Sequence, residues 1–176
     1  MTFDEALKFA THPGITFVVG GICGFVATRL TMTASERSQH RQRIYENSVR
    51  RKKEKEERYL AFVNAITSYC NKAEKPTLDD FQSIATSGDM YFNELKIIAD
   101  SILSGHIDRN SRDHTFVPAI AEALQKNIPQ YYDTLSKISA RVGAPYDGRF
   151  KRTNYESLFR VVERFASNSV LPPASL

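Results

Sequence analysis

The densest group of reactive side chains is His106-Ile107-Asp108-Arg109-Asn110-Ser111-Arg112-Asp113-His114. Imidazoles and carboxylates ligate transition metals, and a pair of guanidinium groups can hold a phosphate. The residue types therefore suit an ion-binding site. Their spacing does not favour one. There is no helical i,i+4 ligand pair, no HExxH pattern and no EF-hand spacing. The plainer reading is an exposed loop between helices, in which Asp113 or Thr115 caps the helix that follows. The sequence favours this loop, and with it no metal, no cofactor and no catalytic residue.

Other reactive groups point the same way. Cys70 falls on an apolar helical face, which predicts a core position rather than a nucleophile. Cys23 lies in a different, apolar segment, so the two thiols make neither a disulfide framework nor a zinc site. Reduced thiols in a cytosol-facing protein fit this usage. Gly20-Gly21-Ile22-Cys23-Gly24 is glycine-rich but has no Lys-Ser/Thr and no preceding strand, so it is not a phosphate loop. There is no GxSxG elbow. His12 and His40 read as solvated.

The elements that would position these residues follow from hydropathy and charge. The length of 176 residues fits one domain with an appendage. Residues 1–12 form a short N-terminal segment. In it Phe3, Ala6, Leu7 and Ala10 share one side if the backbone is helical. Pro13 suits the first turn of a following helix. Residues 13–33 are expected to be a transmembrane helix. Gly14–Leu30 would be roughly 26 Å long at ~1.5 Å per residue, slightly under a ~30 Å hydrocarbon core. Arg29 can snorkel to the headgroups at its end. A buried helix of a soluble fold is the competing reading. A cleaved signal peptide fits less well, because Asp4 and Glu5 precede the apolar run and no small-residue cleavage pattern follows it.

Charge orients the span. Residues 29–58 hold ten basic and five acidic side chains, whereas 59–176 hold thirteen of each. The excess positive charge thus sits just after the apolar run. The positive-inside rule then places the N-terminus outside and the C-terminal part in the cytoplasm. Within the span Thr16, Gly20, Gly24 and Thr28 recur every four residues and line one face. Such a face permits close helix approach and self-association into a homodimer, although glycine is also common in membrane helices.

Residues 34–58 read as a basic, charged helical stalk. Thr33-Ala34-Ser35-Glu36 has capping-box spacing, and no proline or glycine follows before Arg58. Glu46–Arg50, Glu54–Arg58, Arg50–Glu54, Lys52–Glu56 and Lys53–Glu57 are candidate ion pairs. The first half carries no full heptad seam, so a long coiled coil is not supported. Membrane lipid is the expected contact of Arg29, Arg37, Arg41 and Arg43 at an anionic surface. Nucleic acid is disfavoured as a partner, because Glu54, Glu56 and Glu57 interrupt the basic run. A solvated topology determinant and spacer is the plainest role for it.

Residues 59–167 read as a cytosolic helical bundle, and 168–176 as a flexible tail. Tyr59, Val63, Ile66, Cys70 and Ala73 step at helical spacing, with Phe62 and Tyr69 beside them, and predict the first packed face. Thr77 caps a second helix with Leu78, Phe81, Ile84 and Ala85 on its apolar side. Ser87-Gly88-Asp89 either breaks or bends it before Tyr91, Leu95, Ile98 and Ile102, and Gly105 stops it. Phe116, Val117, Ile120, Ala121 and Leu124 define another helix, interrupted at Asn127-Ile128-Pro129. Tyr132, Leu135, Ile138 and Val142 follow. Thr153-Asn154-Tyr155-Glu156 is a capping box before Leu158, Val161, Val162 and Phe165. Tyr131, Tyr146, Phe150 and Tyr155 lie near Arg149, Lys151 and Arg152. They suit either a contact surface or, as the sequence favours, the core and rim of the last helix.

No alternating strand pattern is present. The expected fold is all-α: a single N-terminal transmembrane helix, a long charged helix, then an antiparallel helical bundle. The expected function is that of a membrane-anchored scaffold or regulatory module that binds another protein or itself on the cytoplasmic face. A soluble or peripheral helical protein whose apolar N-terminal helix docks on a partner is the alternative. An enzyme with a site in the 106–114 loop comes third.

Overall fold

A computed structural model of the protein describes residues 34–73 and 75–166. The expected N-terminal segment 1–12, the span 13–33 and the tail 168–176 lie outside the described residues. Among the described residues the chain is helical and without strands, with bundle-like packing, and no helix there is long and apolar enough to cross a membrane.

The chain divides into two units, Met1–Arg43 and Ile44–Leu176. Helix α1 runs from Ala34 to Cys70. No glycine or proline interrupts it, and in-helix pairs such as Arg51–Glu54 and Lys53–Glu57 support it. Residues 35–43, in the first unit, are exposed along the opening of this helix.

In the second unit α2 spans Leu78–Leu103. Its start follows the sequence expectation. The Thr77 hydroxyl accepts from Asp80 N–H, and the Asp80 carboxylate accepts from Thr77 N–H at 2.7 Å, which completes a capping box. The Ser87-Gly88-Asp89 stretch neither breaks the helix nor ends it. Gly88 is there for packing. A Cβ on it would lie 2.8 Å from Cδ2 of Tyr131 and closer still to Cε2. Gly105, with φ of 76°, ends the helix. Gly105 N–H donates to Ile102 O and His106 N–H to Ser101 O, the paired bonds of a Schellman motif.

The next helical run corrects two expectations. The 106–114 stretch is not a loop throughout. Asp108, not Asp113 or Thr115, is the cap, its carboxylate accepting from Ser111 N–H at 2.9 Å. Helix α3 (Arg109–Ser111) continues through a π-turn at Arg112–Phe116 into α4 (Val117–Glu122). A second π-turn at Ala123–Asn127 leads into α5 (Ile128–Val142). Asn127-Ile128-Pro129 therefore does not interrupt the path. Val117 N–H donates to Arg112 O and Ile128 N–H to Ala123 O, each five residues back. A proline ring collides with the carbonyl four residues before it, and a wider turn relieves that collision. Pro118 and Pro129 each lie two residues past the end of one of these turns.

Last, a 3-10 turn at Arg152–Tyr155 enters α6 (Glu156–Phe165). No side-chain cap bond forms at its start, so the predicted 153–156 capping box is not made. Tyr155 is instead buried, its hydroxyl 3.1 Å from that of Tyr132.

The core lies where α2 meets α5 and α6, and where α4 meets α6. Phe92, Leu95 and Ile98 of α2, Ile120 of α4, Leu135 of α5 and Leu158 of α6 are its fully buried centre. Gly88 lets Tyr131 close over α2, with the Tyr131 hydroxyl 2.9 Å from both Ala85 O and the Asp89 carboxylate. Burial and the neighbouring Asp89 raise the Tyr131 phenol well above its ordinary range. The aromatic group of the last third is thus core and rim: Tyr131 and Tyr155 are buried, Tyr146 and Phe150 half-buried.

Candidate functional site

The two groups singled out for their chemistry behave differently. Around 106–114 several polar groups are used within the fold, although Asp108 Oδ2 is buried without a hydrogen-bond partner. His106 offers its carbonyl to Asn47 Nδ2 at 2.9 Å. Arg112 and Asp113 bind each other through two contacts, Nε–Oδ1 at 2.7 Å and Nη2–Oδ2 at 3.1 Å. That pairing holds the Asp113 carboxyl below its ordinary range and raises Arg112. The Arg112 guanidinium also lies over Phe165, 4.4 Å from the ring centre. Among the described residues no group of His, Cys, Asp or Glu is placed to hold a metal ion. Cys70, expected in the core, is exposed.

Thr16, Gly20, Gly24, Thr28 and Arg29 lie outside the described residues. Arg37, Arg41 and Arg43 are exposed on the first turns of α1. Arg37 and Arg41 are one turn apart on one side, and Arg41 Nε donates to Arg37 O at 3.4 Å. Arg43 projects from a different side at ~100° per residue.

What stands out is α1 in the second unit. Well before Tyr59 it is tied to the rest of the unit, through polar groups such as Asn47. Ser48, fully buried, donates to Ile44 O and accepts from Asp108 N–H at 2.9 Å. Arg51 Nη1 bridges Glu54 at 2.8 Å and Glu94 at 3.2 Å. Glu94 is only 8% exposed, and burial pushes its carboxyl up despite the nearby guanidinium. Further along, Phe62 inserts between the rings of Tyr91, Phe92 and Tyr131, with centroids 5.6 to 6.1 Å away. Arg141 Nη1 donates to the Tyr69 hydroxyl at 3.3 Å. The packed face of α1 is therefore Ser48, Arg51, Phe62, Ile66 and Tyr69. The predicted stripe through Tyr59 and Cys70 is rotated from it.

The rotation leaves an apolar line outside. Tyr45 is 62% exposed, Val49 50%, Tyr59 44% and Leu60 59%. Tyr45, Val49, Lys52, Glu56, Tyr59 and Val63 step by four, three, four, three and four. At ~100° per residue they fall within an arc of about 80°, with Leu60 at its edge. This seam lies about a quarter turn from the packed face. At its Val63 end a groove of about 320 Å³ opens between Tyr59, Phe62 and Ile66 of α1 and Asn127, Gln130 and Thr134. The seam escapes a hydropathy search because two of its six positions, Lys52 and Glu56, are charged. Spacing alone could have found it.

The chain matches none of the protein families, curated proteins or solved structures with which it was compared.

Proposed function

We propose that this is a single-pass membrane protein whose helical bundle works on the cytoplasmic face as an interaction module. The surface it offers is the outer seam of α1 and the groove beside Val63. The observation that carries the reading is the row of exposed large apolar side chains, Tyr45, Val49, Tyr59 and Leu60, on one side of one helix. Scattered apolar residues need no explanation, but exposed Tyr45, Val49 and Tyr59 recur at seam spacing on one side of the helix, with Lys52 and Glu56 between them, and such a side suits contact with a partner. The uncharged run Gly14–Thr28 followed by ten basic residues in 29–58 supports the anchor and its orientation. The reading assigns no catalysis.

The anchor is tested by washing membranes from cells that express the full chain with alkaline carbonate. Retention in the pellet is expected, with the bundle open to protease only from the cytoplasmic face. Release into the supernatant would leave the soluble or peripheral alternative.

A further inference from the structure

We infer that α1 from Ile44 to Arg58 is a lever, which swings off the body in one piece, pivoting at Tyr59 and Phe62, while the core beneath it stays folded.

The lever and its pivot are held unequally. At the pivot, Phe62 is buried against the rings of Tyr91, Phe92 and Tyr131, and the Tyr59 ring lies 5.2 Å from that of Tyr91. Between Ile44 and Arg58, Ser48 is the one buried side chain. Polar ties hold this stretch: Asn47 Nδ2 donates to His106 O, Ser48 Oγ accepts from Asp108 N–H, and Arg51 pairs with Glu94. Arg58 Nη1 meets the Met90 sulfur at 3.9 Å. The α1 backbone runs alongside no other element, whereas α2 lies along α5 and α6.

Ties of this kind contribute little net free energy, because water makes equivalent bonds once they part. Parting also relieves a cost. Among the described residues, Arg51 Nε and Asp108 Oδ2 are the side-chain atoms buried without a hydrogen-bond partner. Both belong to this contact, and hydration removes the penalty of leaving them unpaired. A segment secured in this way opens at a free energy below that of global unfolding.

Continuity of the helix makes the motion a tilt. No glycine or proline lies between Ala34 and Cys70, so the stretch before Phe62 has no place to fold away. Ser48 stands about 21 Å from Phe62 along the axis at ~1.5 Å per residue, and a tilt of about 15° carries it about 5 Å. That is enough to part all three ties together. The open form bares the Glu94 carboxylate, the His106 carbonyl and the Asp108 amide to solvent.

Native-state hydrogen exchange on the full chain tests this. Asp108 N–H reports the lever, because its bond to Ser48 is one that parts. Leu95 N–H, within α2, reports the core. Asp108 should be less protected than Leu95, through an opening that denaturant barely changes. Glu94→Ala, outside the reporter's own turn, should speed Asp108 exchange several-fold. Arg51→Met combined with Glu94→Met replaces the pair with apolar side chains and removes the unpaired Nε, so it should bring exchange back to the unaltered rate or below it. Leu158→Ala weakens the core and should speed Leu95 while leaving Asp108 unchanged. The lever is overturned if Asp108 is as protected as Leu95, or if Glu94→Ala leaves Asp108 unmoved. It is also overturned if the double variant exchanges as fast as Glu94→Ala, or if Leu158→Ala speeds both amides alike.

Discussion

Two regions of the bundle are held by different means. Where α2 meets α5 and α6, the contacts are almost all apolar: Phe92, Leu95, Ile98, Leu135, Leu158 and Val161 are buried to 2% exposure or less. The first half of α1 meets the same body through Asn47, Ser48 and Arg51, each of which makes a directed bond to a particular atom. Apolar burial is non-directional and scales with area, so it gives the first region its stability. A hydrogen bond contributes little net free energy, but an unmade one in a buried place is costly. The second region is thus positioned more than it is glued. Holding α1 in this way fixes its rotation, and so fixes which side faces out.

The largest effect that separates the regions is expected from Phe92→Ala. This truncation in the packed centre should cost about 3–5 kcal/mol. It should move the denaturation midpoint of the whole bundle, read by circular dichroism. A loss confined to α1, with the rest unmoved, would contradict the division drawn here. A smaller effect in the same region is expected from Gly88→Ala. The added methyl meets the Tyr131 ring, and overpacking of this kind costs about 1–3 kcal/mol. Helix propensity alone would make the substitution stabilising by about 1 kcal/mol. The sign of the measured change therefore decides whether Tyr131 lies against Gly88.

The same contrast explains what was legible in the sequence. Tyr91, Leu95, Ile98 and Ile102 step along α2 at helical spacing, and all four are buried. Phe116, Val117, Ile120, Ala121 and Leu124 are buried as well. Apolar packing leaves a periodic trace. Polar ties across the chain leave none: Ser48 and Asp108 stand sixty positions apart, and neither is unusual locally. The boundary expected at Tyr59 marks where apolar residues become frequent, not where contacts begin. The rotation of α1 was missed for a related reason. The expected face held Ile66 and had Phe62 and Tyr69 beside it, all three packed on the core, but it also took in Tyr59 and Cys70, which are exposed, and hydropathy does not separate neighbouring apolar positions on one helix. Prolines misled in the opposite direction. Asn127-Ile128-Pro129 suggested an interruption, but a π-turn lets the helical path run through it, as another does ahead of Pro118.

The polar region should show itself in pH. Burial raises the Glu94 carboxyl, so the folded state binds its proton more tightly than the unfolded chain does. Its contribution to stability is fully present below the ordinary glutamate value. It is lost as pH rises through the raised one. The melting temperature should therefore carry a component that falls with rising pH in that window, and Glu94→Gln should remove it. An unchanged profile in the variant would mean that Arg51 compensates the buried charge fully.

The smallest effect belongs to the junction between the regions. Lys72, just past the end of α1, donates to the Asp80 carboxylate at 2.9 Å, and Thr77 adds its backbone and hydroxyl bonds. The Lys72 bond, then those of Thr77, lower the Asp80 carboxyl to about 2. The sign is opposite to that of Glu94. This group stabilises the fold above the ordinary aspartate value, and the contribution is lost as pH falls towards about 2. Asp80 is at the surface, where salt screens the pair, so the effect is small and should shrink further at high ionic strength. Asp80→Asn keeps a side chain of the same shape but gives up the charge. It should flatten the acid limb of the melting profile while leaving the neutral-to-basic slope due to Glu94 intact. If Asp80→Asn altered that upper slope instead, the cap and the α1 tie would be one coupled network, and the two regions would not be independent.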